Sequence, residues 1–276
     1  MTLPRGLLLV FALVASACAT AATIRLPEGP WAPDPLAAEA FESASAGCRG
    51  VRTLTAEIAV RGRAGRGRVR GRILAGFERG GALRLEAPAP FGAPILILVS
   101  RANRATLWLP RDRRVLRDAP VERVLEAITG LSRSSDDVLA LVSGCLSSDL
   151  SPAGQGQRGP GGWMAIDLAG GIRAFLAREG GGWRIAAGHR DGGTGAASWS
   201  VSYAAFTSGF PGSITFSQEP ADGAPAAALT LQVSQLETNV PIDGRAFQVV
   251  VPAGAQPLTL EELRQSGPLA ERGSRP

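Results

Sequence analysis

Residues 53–77 read TLTAEIAVRGRAGRGRVRGRILAGF, with six arginines between positions 61 and 72. Their spacing decides between a nucleic-acid arm and a folded sheet. Leu54, Ala56, Ile58, Val60 and Gly62 alternate with Thr53, Thr55, Glu57, Ala59, Arg61 and Arg63. After Ala64-Gly65 the alternation resumes. Gly67, Val69, Gly71, Ile73, Ala75 and Phe77 fall on one side, and Arg66, Arg68, Arg70 and Arg72 on the other. A strand turns successive side chains to opposite faces, so these runs predict a β-hairpin with arginines on its wet face. Arginine-glycine segments that bind RNA are usually disordered. No nucleic-acid partner is expected; an anionic membrane surface or an acidic partner suits this face better.

Working outward, the same alternation predicts strands at 82–87, 94–99, 105–109 and 114–117. Pro120 then opens a helix in which Val121, Val124, Leu125 and Ile128 form a stripe that Gly130 ends. Residues 134–137 (SSDD) cap a second short helix, VLALVSGCL. Strands return at 163–168, 172–178, 183–188, 198–206, 213–217, 227–236 and 247–251, followed by a helical turn at 259–264 and a disordered tail at 265–276. Upstream, 35–45 predicts a short helix with Leu36, Ala40 and Phe41 on one side. The economical architecture is mainly β: an incomplete antiparallel barrel of about eleven strands with helices inserted midway.

The chain opens MTLPRGLLLVFALVASACA, one arginine before an apolar run and then small residues, which is the layout of a signal peptide over 1–17. The run is well short of the ~20 residues of a membrane-spanning helix. Its end, Val14-Ala15-Ser16-Ala17-Cys18, resembles a bacterial lipobox, which implies lipidation of Cys18. Residues 18–45 then form a lipidated N-terminus and tether, and 46–264 the folded domain. A plain secretory cut after Ala17 or Ala21 is the other reading. Ala19 is not the Asp that resembles an inner-membrane retention signal, so the outer membrane, facing the periplasm, is the expected address. Of three cysteines, Cys48 and Cys145 are left for a disulfide in an oxidising compartment, or for two separate buried thiols. The 29 basic residues are all arginine, and loss of Arg5 with the signal lowers the net charge from +5 to +4. Such a charge suits solubility and mild attraction to anionic lipid.

Catalytic residues are not evident. The single histidine, His189, lies in a glycine-rich turn (AAGHRDGG), so no Ser-His-Asp or Cys-His set assembles around it. No metal-ligand spacing occurs, and no cofactor is expected. A non-enzymatic protein is the expectation. Two features remain. A curled sheet of this size can enclose a cavity, with Gly62, Gly67, Gly71 and Ala75 leaving room on the inner face, unless helices plug it. The loop APAPFGAP holds Phe91 between stiff prolines, either as an exposed tip or folded back into the core.

Residues 83–98, LRLEAPAPFGAPILIL, resemble the strand–loop–strand of the outer-membrane lipoprotein receptor family LolB. APVERVLEAITGL followed by SSDDVLALVSGCL is similar to that family's helix pair, and SWSVSYAAF, FPGSITFSQ and ALTLQVSQLETN to its closing strands. The resemblance covers about residues 50–240 in order. It implies an incomplete barrel with a helical lid over an apolar cavity, Phe91 as the membrane-contacting residue, and an acyl site lined by Ile58, Val60, Val69, Ile73, Phe77, Leu83, Leu85, Leu125 and Ile128. It also implies a monomer that takes lipoprotein acyl chains or lipid from a periplasmic LolA-like carrier and delivers them to the outer membrane. The alternative is a structural or assembly lipoprotein that binds an envelope protein and holds no lipid.

Overall fold

The computed structural model describes residues 25–64, 67–193, 197–219 and 226–266. The signal peptide, Cys18, the turn at 65–66 and the tail beyond 266 lie outside the described residues. The hairpin forms as the alternation requires. Strand β2 (Thr53–Ala64) pairs with β3 (Gly67–Glu78) in unbroken register, from Thr53 opposite Glu78 to Ala64 opposite Gly67. Leu54, Ala56, Ile58, Val69, Ile73, Ala75 and Phe77 are buried, while Arg61, Arg63, Arg68, Arg70 and Arg72 are exposed. The outer face carries a cost, because Arg61 stands opposite Arg70 and Arg63 opposite Arg68. One ion pair, Arg72 to Glu57 at 3.2 Å, relieves it in part. Burial of the inner face holds the hairpin together against that repulsion.

Twelve longer strands and three two-residue ladders make one sheet. After β1 (Ala32–Pro33) and the hairpin come β4 (Ala82–Ala87), β5 (Leu96–Arg101), β6 (Arg104–Leu109) and β7 (Arg114–Pro120). The second half contains β8 (Gln157–Arg158), β9 (Met164–Leu168), β10 (Ile172–Glu179), β11 (Gly182–Arg190), β12 (Ser198–Thr207), β13 (Phe210–Glu219) and β14 (Ala227–Thr238), with β15 (Gln256–Pro257) last. Their order is β1-β8-β9-β10-β11-β12-β13-β14-β2-β3-β4-β5-β6-β7-β15, antiparallel except for the β15–β7 pair. The count is fifteen rather than about eleven, and the two ends of the sheet do not join. It is an incomplete barrel.

Four helices complete the fold: α1 (Leu36–Arg49), α2 (Val121–Thr129), α3 (Ser135–Ser143) and α4 (Leu260–Ser266). The start and stop signals of the central pair work as the sequence predicts. Gly130 takes φ 79° after α2, Ser134 Oγ accepts from Asp137 N at 3.0 Å ahead of α3, and Gly144 takes φ 92° after it. Three expectations need correction. Residues 32–45 are not tether: β1 pairs with β8, and α1 buries Ala37, Ala40, Phe41, Ser45 and Cys48 against the sheet. Leu36 does not share that face; it is 54% exposed, because the stripe runs one residue later along the helix. Residues 247–251 are not a strand. Gly244–Phe247 forms a 3₁₀ turn that buries Phe247, Arg84 Nη1 donates to the carbonyls of Ala246 (3.1 Å) and Gln248 (3.3 Å), and Val250 is 92% exposed. The Gly244–Phe247 turn that leads into the valines packs on β4 and β5, whose backbones are already paired on both sides, so β propensity finds no edge to join there.

Two apolar cores fill the concave face. One joins β2–β7 to α2 and α4 through Phe77, Leu83, Leu98, Leu107, Val124 and Leu263. The other joins α1 to β9–β13 through Phe41, Leu146, Ile166, Leu176, Trp199 and Tyr203. Cys48 in the last turn of α1 and Cys145 just after α3 are disulfide-bonded, with Cα atoms 5.7 Å apart, so the two-thiol alternative falls away. Tyr203, fully buried, donates to the Cys145 carbonyl at 2.6 Å beside that bridge.

Candidate functional site

Between the two cores lies a cavity of about 140 Å³. One wall is the hairpin and its neighbours, with Ile58, Val60, Val69, Ile73, Phe77, Leu85, Leu96 and Leu98. The other is β12–β14, with Val201, Ile214, Phe216, Leu229 and Leu231. The central helices and their connection close the concave side with Leu125, Ile128, Leu131, Val138, Leu141 and Val142. Thr129 and Arg133 are the polar side chains among the described residues lining it. The volume matters: an apolar cavity of roughly 150 Å³ stays dry and accepts a benzene-sized guest. The space therefore has the size of a short apolar segment.

Of the nine residues expected to line an acyl site, Ile58, Val60, Val69, Ile73, Phe77, Leu85, Leu125 and Ile128 lie on the cavity wall. Leu83 does not. It sits opposite Phe77 and Ser100, where the core is filled, and is fully buried. The glycines divide in the same way. Gly71, on the inner face, is exposed and has open space around its missing Cβ. Gly62 (φ 146°) serves a different need, since a Cβ there would collide with the Ala228 carbonyl of β14. It permits close strand approach and opens no room.

The sheet register gathers further features at one end. The C-terminal ends of β2, β4 and β6 all lie toward the same end of the sheet. Phe91 stands there 89% exposed, which settles its alternatives in favour of the tip. Arg111 Nη2 donates to the Phe91 carbonyl at 3.3 Å, and Leu74 on the arginine face is 44% exposed. Ala64, Val69 and Leu229, near the same end, belong to the cavity wall, so the hollow reaches toward it.

His189 lies on an outward position of β11, with Nε2 2.7 Å from Asp191 Oδ1. No cluster of three or more His, Cys, Asp or Glu suited to a metal occurs among the described residues. No helix among them is long and apolar enough to cross a membrane.

An open antiparallel barrel with helices across an apolar hollow defines a structural class, and the comparisons with solved structures give that class a place. A LolA superfamily protein from Nitrosomonas europaea matches with a TM-score of 0.51 and 9% identity over 77% of this chain and 97% of that one. Weaker matches are LprF from Mycobacterium bovis (TM-score 0.33, 10% identity, 81% and 99% covered) and the lipoprotein LppX from Mycobacterium tuberculosis (0.33, 12%, 76% and 100%). No family model matches the sequence, and no curated protein matches it. The chain is therefore similar in fold to the first of these structures, and the likeness is one of fold alone.

Proposed function

We propose that this chain is an envelope lipoprotein that shelters acyl chains in the cavity and hands lipoproteins to the outer membrane. The observation that carries this reading is the continuous apolar lining, set beside an exposed aromatic tip. Binding of acyl chains makes and breaks no bond; its driving force is removal of methylenes from water, about 0.8 kcal/mol each. A hollow of about 140 Å³ cannot enclose a whole long chain, so α2 and α3 must lift as the guest enters. The anchored Cys18 keeps the protein at the periplasmic face of the outer membrane, and Phe91 inserts where the bilayer receives the cargo. Arg61, Arg63, Arg68 and Arg70 support that contact, since each basic residue near an anionic membrane contributes about 1 kcal/mol.

The test is transfer of a fluorescent acylated lipopeptide from the protein to vesicles of phosphatidylethanolamine and phosphatidylglycerol. Wild-type protein takes up the lipopeptide and delivers it. Phe91→Glu keeps uptake and slows delivery at least about tenfold, given the cost of placing a carboxylate among acyl chains. Unchanged delivery by Phe91→Glu removes Phe91 from the mechanism. Failure of the wild type to take up the lipopeptide favours the assembly lipoprotein that binds a protein partner.

A further inference from the structure

The inner-face row nearest the β11–β12 connection is not apolar. Arg190 pairs with Trp199, Trp199 with Gln218, and Gln218 with Ala227, so all four share the concave face. Arg133, in the connection between α2 and α3, stands over the Trp199 ring with its Cζ 4.6 Å from the centroid. Two donors in this cluster lack what burial demands. Arg190 Nε and Trp199 Nε1 are buried with no hydrogen-bond partner, and Trp199 as a whole is 2% exposed. The Arg133 guanidinium stacks on an indole and lines the cavity, and among the described residues it makes no ion pair within 4 Å.

The neighbours explain none of this. Gln218 Nε2 is spent on the Gly130 carbonyl at 3.1 Å, and Arg190 Nη2 on the Ala197 carbonyl at 3.2 Å. Asp137 is the carboxylate whose field reaches Arg133, yet its oxygens already accept from Ser134, Ser147 and Ser148. Burial pushes the Arg133 guanidinium below its ordinary pKa, and the charge of Arg190 adds to that push. Arginine does not discharge in proteins, so Arg133 on the cavity wall and Arg190 beside it carry two positive charges against the one negative charge of Asp137, an excess that a further anion would balance.

We propose that Arg133, Arg190 and Trp199 Nε1 receive one anionic head group, a carboxylate or a phosphate, on an amphiphile whose acyl chain lies in the cavity. This rests on the acyl-binding reading above. It adds that the guest enters tail toward the hairpin wall and head toward the α2–α3 connection.

The experiment compares the affinities of the wild-type protein for a long-chain fatty acid, its methyl ester, and a monoacyl glycerol phosphate of equal chain length. At least one of the two anions binds about 10- to 100-fold more tightly than the ester, the worth of a desolvated charged hydrogen bond. The tighter of the two tells whether the head group is a carboxylate or a phosphate. Arg133→Gln and Arg190→Gln each bring the anion-to-ester ratio toward one, and Arg133→Lys keeps part of it. Equal binding of all three ligands overturns the head-group site while leaving the acyl cavity standing. Failure of all three to bind overturns both. The wild-type comparison decides even where a variant does not fold.

Discussion

The two halves of the sheet enclose their cores by different means. The half from β9 to β13 is stapled, with Cys48 bonded to Cys145 and Tyr203 closing a buried hydrogen bond beside them. The half from β2 to β7 has no covalent brace among the described residues and is held to α2 and α4 by apolar packing. The cavity falls where that half meets the lid. The lid is thus braced covalently at one end and by hydrogen bonds and packing at the other. The Cys145 end of α3 is tied to α1, while the α2–α3 connection meets the sheet through the bond from Gln218 to the Gly130 carbonyl and the stacking of Arg133 on Trp199.

The largest effect expected from this contrast is on the stapled half. Cys48→Ala with Cys145→Ala removes a cross-link spanning 97 residues of sequence. In the chain-entropy account this costs about 4 kcal/mol, measurable by urea unfolding. A loss below about 1 kcal/mol would show that the staple is dispensable and the contrast false. Next comes a matched pair. Ile166→Phe, in the core of the stapled half, costs about 1–3 kcal/mol through overpacking. Ile73→Phe, on the cavity wall, costs less than about 1 kcal/mol because the extra atoms occupy empty space, and it weakens acyl binding. Equal costs at the two sites would deny the difference in packing.

Smaller still is Tyr203→Phe, which leaves the Cys145 carbonyl without its donor at a cost of about 1.5 kcal/mol. Burial pushes the Tyr203 phenol upward, so no titration near neutral pH should accompany the change. The smallest effect concerns α4, on the half without the staple. Arg114 Nη2 lies 2.7 Å from Glu262 Oε1, and Thr259 and Glu262 bond each other's backbone N–H in a reciprocal cap. Chiefly through the Arg114 contact, the Glu262 carboxyl is held down at about 2 from an ordinary 4.5. A depressed carboxyl stabilises above its unfolded value and loses that contribution as pH falls through its folded one. Protection of the α4 amides, measured relative to their intrinsic exchange rate at each pH, should therefore fall between about pH 4.5 and 2, and Glu262→Gln should flatten that dependence.

Much of the fold is legible in the residues. Alternation alone gives the faces of β2 and β3, and Pro120, Gly130, Ser134 and Gly144 mark the central helices through backbone chemistry that acts locally. What alternation omits is depth along a strand. Leu83 and Leu85 share a face, yet one is sealed opposite Phe77 and the other meets the hollow. The β12–β14 wall was open to the same reading, since Val201, Phe216 and Leu229 alternate with polar neighbours. Arg133 offers no such signal. It lies between helices, outside any period, and only the path of the chain brings it over Trp199. The strand expected at 247–251 fails for a related reason: propensity is local, but a free edge is a property of the whole sheet.

The central claim is that the space between the two cores accepts an acyl chain. Native mass spectrometry of the full-length protein, extracted from membranes in mild detergent, tests it most directly. The account predicts a bound amphiphile that survives extraction and is displaced by added fatty acid or monoacyl phosphate. A protein that is recovered empty, and that stays empty when either ligand is supplied, would contradict it.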